Sequence, residues 1–206
     1  MPIESKKSNQ SVKQLDPLAL AFEPEVSPWR KALSGQIVQS FLVFCRFAGR
    51  YWLWLLNGIS LFFFMVAFAV PLVQGAGGDW LARSVFDFCH LVCVQDPNHS
   101  FYIGGHQMAV CERCLAIYAA MGLVGLVFQL TRYRWRPLKF WQYGLFALPM
   151  ALDGFSQLFG WRESVWELRL LTGGLFGFGT VWYMYPQIEA WMNRLKSWAG
   201  RELART

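Results

Sequence analysis

From Tyr51 onward the chain changes character. Residues 51–73, YWLWLLNGISLFFFMVAFAVPLV, run for 23 positions without a charge. At about 1.5 Å of rise per residue, a helix of that length crosses a hydrocarbon core of roughly 30 Å. Three more apolar stretches follow. Residues 112–131 carry Gly122 and Gly125, small residues that let helices approach closely. Residues 140–160 are apolar apart from Asp153 and contain Pro149. Residues 169–188 hold Gly173 and Gly177 in a G-x-x-x-G spacing, a packing face for a neighbouring helix. The pattern predicts an all-α integral membrane protein, a bundle of four transmembrane helices over about 51–73, 112–131, 140–160 and 169–188 within a membrane domain of residues 49–190.

Two amphipathic pieces flank these stretches. Residues 28–48, PWRKALSGQIVQSFLVFCRFA, read as a basic interfacial helix leading into the first span. Residues 79–93, DWLARSVFDFCHLVC, read as a short surface helix. Residues 1–27 are polar and Pro-containing, without the apolar core of a cleavable signal, and are expected to form a flexible cytoplasmic tail. Residues 191–206 form a basic tail.

Charge sets the expected orientation. Lys6, Lys7, Lys13, Arg30, Lys31, Arg46 and Arg50 precede the first span. Arg132, Arg134, Arg136 and Lys139 connect the second to the third, and Arg194, Lys196, Arg201 and Arg205 close the chain. The connector 74–111 has few basic residues, and the short 161–169 turn balances Arg162 and Arg169 with Glu163 and Glu167. By the positive-inside rule, both termini are cytoplasmic and the 74–111 loop lies on the outer face of a multi-pass cell (inner) membrane protein. Composition agrees: 55% of the 206 residues are hydrophobic and 16% charged, with 18 Phe and 11 Trp. The net charge of +6 sits beside apolar runs, which favours the lipid bilayer as partner and gives no reason to invoke nucleic acid.

The chemistry gathers in one place. The outer loop and the mouth of the second span hold Cys89, His90, Cys93, His99, His106, Cys111 and Cys114, all three histidines and four of the five cysteines. Three readings fit. Thiolate and imidazole are the preferred zinc ligands, and the C-x-x-C at 111–114 suits one half of a tetrahedral site. A C-x-x-C at a helix start also favours a reactive thiolate, with Cys93 as exchange partner, as in four-span, quinone-linked disulfide-forming enzymes. Two plain disulfides stapling the loop are the third. Cys45, on the interfacial helix, reads as a lone buried thiol.

Asp153 falls in the outer half of the third span, where a carboxylate needs a partner or a water cavity. Arg113 and Arg169 are the nearest candidate partners. Asp153 then serves either as half of an ion pair or as a base, metal ligand or proton carrier.

The runs Cys89-His90, SFYIGGHQMAVCERCLAIY, PMALDGFSQLFGWRES and LRLLTGGLFG resemble an uncharacterised family of small prokaryotic membrane proteins, domain of unknown function 2085. The resemblance covers roughly residues 85–180. It differs in the run CHLVCVQDPNHSF, which is longer than the family pattern and contains the extra Cys93. The resemblance implies a metal set of Cys89, His90, Cys111 and Cys114, with Asp153, Gln157, Arg162 and Ser164 as motif residues. It makes Cys93 less central and supplies no reaction.

On these grounds the leading expectation is an outer-face zinc-type site of Cys89, His90, Cys111 and Cys114, adjoined by a pocket of Gln157, Arg162 and Arg169. Asp153 is the candidate catalytic base on a lipid-like substrate. The alternatives are a membrane thiol–disulfide oxidoreductase with a quinone acceptor and a non-enzymatic scaffold or assembly subunit.

Overall fold

A computed structural model describes residues 28–131 and 134–204; the expected 1–27 tail and Arg132 and Arg205 lie outside the described residues. The chain divides into two units, residues 1–41 and 42–206. In the first, the described segment is helical throughout.

Helix α1 spans Pro28–Gly75, α2 Asp79–Cys89, α3 Glu112–Thr131, α4 Phe140–Leu158 and α5 Trp166–Leu203. A 3₁₀ turn at Pro97–His99 and two short strands, β1 (Tyr102–Ile103) and β2 (His106–Gln107), lie between α2 and α3. The stretches read as an interfacial helix and a first span are one unbroken helix, because nothing between Pro28 and Tyr51 breaks it: Gly35 and Gly49 lack proline neighbours. Likewise, α5 continues through most of the basic tail.

Among the described residues, two helices, within Gly35–Gly75 and over Glu112–Thr131, are long and apolar enough to cross a membrane. Only 28% and 22% of their most apolar windows are buried in protein. A core helix of a water-soluble protein would hide that surface. Here Trp54, Leu55, Phe62, Leu123, Val127 and Leu130 stand exposed instead, as lipid-facing residues do.

Within the second unit, close approach of backbones sets the packing. A Cβ on Gly173 would lie 2.6 Å from the Arg113 carbonyl oxygen, and one on Gly177 2.7 Å from that of Ile117. The G-x-x-x-G face of α5 therefore docks on α3, and the two helices run in the same direction. Gly122 receives Leu61 of α1, and Gly179 receives Phe146 of α4. Both contacts run antiparallel, so direction alternates along α1, α3, α4 and α5. Trp52, Leu53, Phe128, Val181 and Tyr185 form the core where α1, α3 and α5 meet. Beside it Asn57 of α1 accepts from Tyr185 Oη (3.0 Å) and donates to Gln129 Oε1 (3.1 Å). These buried amides and phenol satisfy one another, as polar groups deep in an apolar bundle must. Leu42 and Cys45 of α1 pack with Ala199 of α5, extending the contact toward the C-terminus. Cys45 is a buried free thiol, as its sequence position implied.

Candidate functional site

The segment 76–111 folds back over one end of the helices, here termed the loop end. Gly104 and Gly105, both at positive φ (59° and 83°), make the two-residue turn joining β1 to β2, a conformation side-chain-bearing residues rarely adopt. Gln95 holds the loop together. It is 5% exposed and sits at φ 58°, a left-handed backbone uncommon outside glycine. Its Nε2 donates to the carbonyls of Phe86 (2.8 Å) and Ala109 (2.7 Å), and its Oε1 meets His90 Nδ1 at 3.0 Å. Gln107 Nε2 donates to the Gln95 carbonyl at 2.8 Å and to Ser100 Oγ at 3.1 Å.

This turn brings Cys93 back onto the start of α3. The ligand atoms of Cys93, Cys111 and Cys114 all lie within 4.8 Å of one another. The Cys111 backbone N–H donates to Cys93 Sγ at 3.2 Å. All five cysteines are free thiols. The Cys93 thiol is pulled down to about 2, first by hydrogen bonds from the Cys111 and Cys114 side chains, which outweigh its burial. Cys111 is raised: its hydrogen bond with Cys114 lowers it, but the one with Cys93 and burial outweigh that. Burial raises Cys89, and the neighbouring Cys93 adds to the effect. Hydrogen bonding within the trio favours a thiolate at Cys93, while burial opposes charge on Cys89 and Cys111.

Cys89 and His90 stand differently from this trio. Cys89 is fully buried in the same apolar cluster as Cys93 and Met108, with Cys111 and Cys114 packed against it, and His90 turns to Gln95. Neither belongs to the group of ligand atoms that converges, whereas Cys93 does. Among the histidines, His99 pairs with Asp96 (Nδ1–Oδ2 3.3 Å), and His106 sits on β2.

The two charges inside C-E-R-C each reach a different helix. Arg113 Nη2 donates to Asp153 Oδ2 of α4. Glu112 accepts from Arg169 Nη1 of α5 at 2.9 Å, a pair buried on both sides. Asp153, 1% exposed, also accepts from Arg162 Nη2 on Oδ1 and Gln157 Nε2 on Oδ2, both at 3.0 Å. Arg162 reaches back because Gly160, at φ 68°, ends α4 in a left-handed turn, with its N–H on the Gln157 carbonyl (2.9 Å). Arg113, Asp153, Gln157 and Arg162 therefore form one cluster. Arg169 is taken by Glu112 instead, and Ser164 is buried in the turn before α5, its Oγ on the Val165 carbonyl. Glu112 and Gln95 escaped the reading of the sequence. A lone acid at a span entrance was the signal for Glu112; nothing in the sequence marks Gln95, whose carbonyl partners only the fold brings to it.

Parts of the chain are similar to known proteins. Residues 93–183 match the model of a family described as a predicted membrane protein, domain of unknown function 2085. An uncharacterized protein of Methanocaldococcus jannaschii is 36% identical over 134 residues, which is 61% of this chain and 85% of that protein. The chain belongs to the domain of unknown function 2085 family. An uncharacterized protein of Methanothermobacter thermautotrophicus is 34% identical over 88 residues, 43% of this chain and 79% of its own. No solved structure matches the chain. The family match begins at Cys93, so it contains the sulfur trio and both ion-pair clusters while Cys89 and His90 precede it.

Proposed function

We propose that this family member is a four-span membrane protein, both termini cytoplasmic, whose outer loop is clasped to the bundle by a divalent metal on Cys93, Cys111 and Cys114. The alternating helix directions support four crossings, with α4 and α5 as the third and fourth. Exposed Trp80, Trp161 and Trp166 at the loop end, and Trp141 and Trp191 near the other, match the aromatic belts of the two lipid–water interfaces.

The convergence of three sulfurs carries the metal reading. An odd number of thiols within one coordination radius cannot all be consumed as disulfides. Zn–S bonds of about 2.3 Å place sulfurs roughly 3.8 Å apart on a tetrahedron, within the separation seen here. Zinc suits this soft, tetrahedral donor set, and its charge would let all three thiols ionise together. The surrounding apolar cluster, which also holds Cys89, favours a clasp over an open hydrolytic centre. Asp153 then acts as counter-ion to two arginines, with both oxygens occupied.

Elemental analysis of the purified protein checks this. About one zinc per chain is expected, lost in Cys93→Ser and kept in Cys89→Ser and His90→Gln. Chelation should expose the 76–111 loop to protease. Metal retained in Cys93→Ser but lost in Cys89→Ser would move the site to Cys89 and His90.

The approach of Cys93 to the C-x-x-C pair supports one second reading, thiol–disulfide exchange with Cys93 as exchange partner. There Cys111 and Cys114 would be oxidised to a disulfide and a quinone would take up the two electrons and two protons. Metal-free protein with bound quinone and oxidised Cys111–Cys114 would establish that reading over the clasp.

A further inference from the structure

The Asp153 cluster has one more positive charge than it can neutralise. Two guanidiniums, Arg113 and Arg162, share one buried carboxylate, and Gln157 is neutral. The nearest other buried acid, Glu112, is taken by Arg169. Glu163 lies next to Arg162 but makes no ion pair among the described residues. Arg113 Nε is buried and has no hydrogen-bond partner. Arg162 is half exposed and Arg113 about a quarter exposed, so this excess charge, with an unused donor on Arg113, is reachable by an anion from outside.

The two arginines face different cavities. Arg113 is the one charged group of an apolar groove of about 430 Å³, lined along α4 by Ala147, Ala151, Gly154 and Leu158 and closed by Phe176. Those α4 positions follow a helical face, and the small residues hollow it: the Arg113 guanidinium passes over Gly154. Arg162 lines a polar pocket of about 340 Å³ with His99, Gln157, Gly160 and Glu163. Asp153, bonded to both arginines, stands between an apolar slot and a polar one.

We infer that this is a binding site for an anionic phospholipid, its chain in the α4 groove and its net-negative headgroup phosphate between Arg113 and Arg162, with no cation of its own to cancel the charge. Guanidinium pairs hold phosphate by charge-assisted, bidentate hydrogen bonds. The pairing of an apolar slot with a cationic mouth suits a ligand that has both an apolar chain and an anionic head. The site takes the four-span reading only to set the lipid's leaflet; it needs neither the metal nor a particular orientation.

The test uses the full chain, delipidated in neutral detergent, with native mass spectrometry and thermal unfolding as readouts. Phosphatidylglycerol, phosphatidylcholine of the same chains and inorganic phosphate are the three probes. At least tenfold tighter binding of phosphatidylglycerol than phosphatidylcholine is expected, with a matching rise in Tm. Arg162→Gln leaves one arginine for one carboxylate, so it should abolish the preference and keep the fold. Ala151→Trp fills the groove and should abolish binding of both lipids. Equal binding of the two lipids, or a preference that survives Arg162→Gln, overturns the proposal. So does inorganic phosphate stabilising as strongly as phosphatidylglycerol, which would make the site one for a soluble anion. Both faces of the protein are accessible in detergent, so a wrong orientation leaves these results unchanged, whereas topology mapping would reveal it.

Discussion

Within C-E-R-C, four consecutive side chains have three destinations. Cys111 and Cys114 join Cys93, Glu112 goes to Arg169 on α5, and Arg113 goes to Asp153 on α4. The alternation follows from helix geometry, since neighbouring residues point about 100° apart. Breaking the buried Glu112–Arg169 pair by Arg169→Met should cost about 3–5 kcal/mol, because it strands a carboxylate away from water. The double variant Glu112→Met/Arg169→Met should recover most of that loss. Denaturant unfolding in detergent measures both; equal loss in single and double variants would show that the pair itself contributes little. From the sequence, Arg113 and Arg169 both looked like partners for Asp153. Only Arg113 is, because the sequence does not say which acid each long side chain can reach.

Between elements, glycine placement decides how close α3, α4 and α5 come. Gly177 faces the Ile117 carbonyl and Ala120, with no room for a methyl, whereas Gly174 has nothing within 4 Å. Gly177→Ala should therefore destabilise by roughly 1–3 kcal/mol through overpacking against backbone. Gly174→Ala should be neutral, or stabilise by up to about 1 kcal/mol through helix propensity. Thermal unfolding of the two variants side by side checks this, and similar Tm values would remove α3 as the partner of the G-x-x-x-G face. That this face packs something was legible in the sequence. Its partner was not, because close packing depends on which helix lies opposite. The β-hairpin also went unread: with two residues per strand, it is too short to show an alternating pattern.

For the whole molecule, the distribution of Lys and Arg predicts which end faces the cytoplasm. A phosphatase reporter fused after Ser100 should be active outside the cell, and a fluorescent reporter fused after Arg136 or Thr206 should fluoresce inside. A fluorescent fusion at Ser100 would invert the bundle and place the thiols in a reducing compartment. A metal would then be the more natural occupant of the trio and disulfide exchange the less natural one.

The sequence by itself determined that the chain is helical and of membrane type. It also showed that its chemistry collects near one span entrance, since long uncharged runs and cysteine density are properties of the chain read in one dimension. It also carried enough of the family's motifs to be matched. Which cysteines meet was decided only by tertiary structure. Cys93 and Cys111 are separated by 18 positions, and the path between them turns on Gln95 in a left-handed conformation, whose side chain donates to the carbonyls of Phe86 before it and Ala109 after it and whose own carbonyl accepts from Gln107. The family resemblance implied Cys89 and His90 beside the C-x-x-C; the loop's own hydrogen bonds bring Cys93 to that pair.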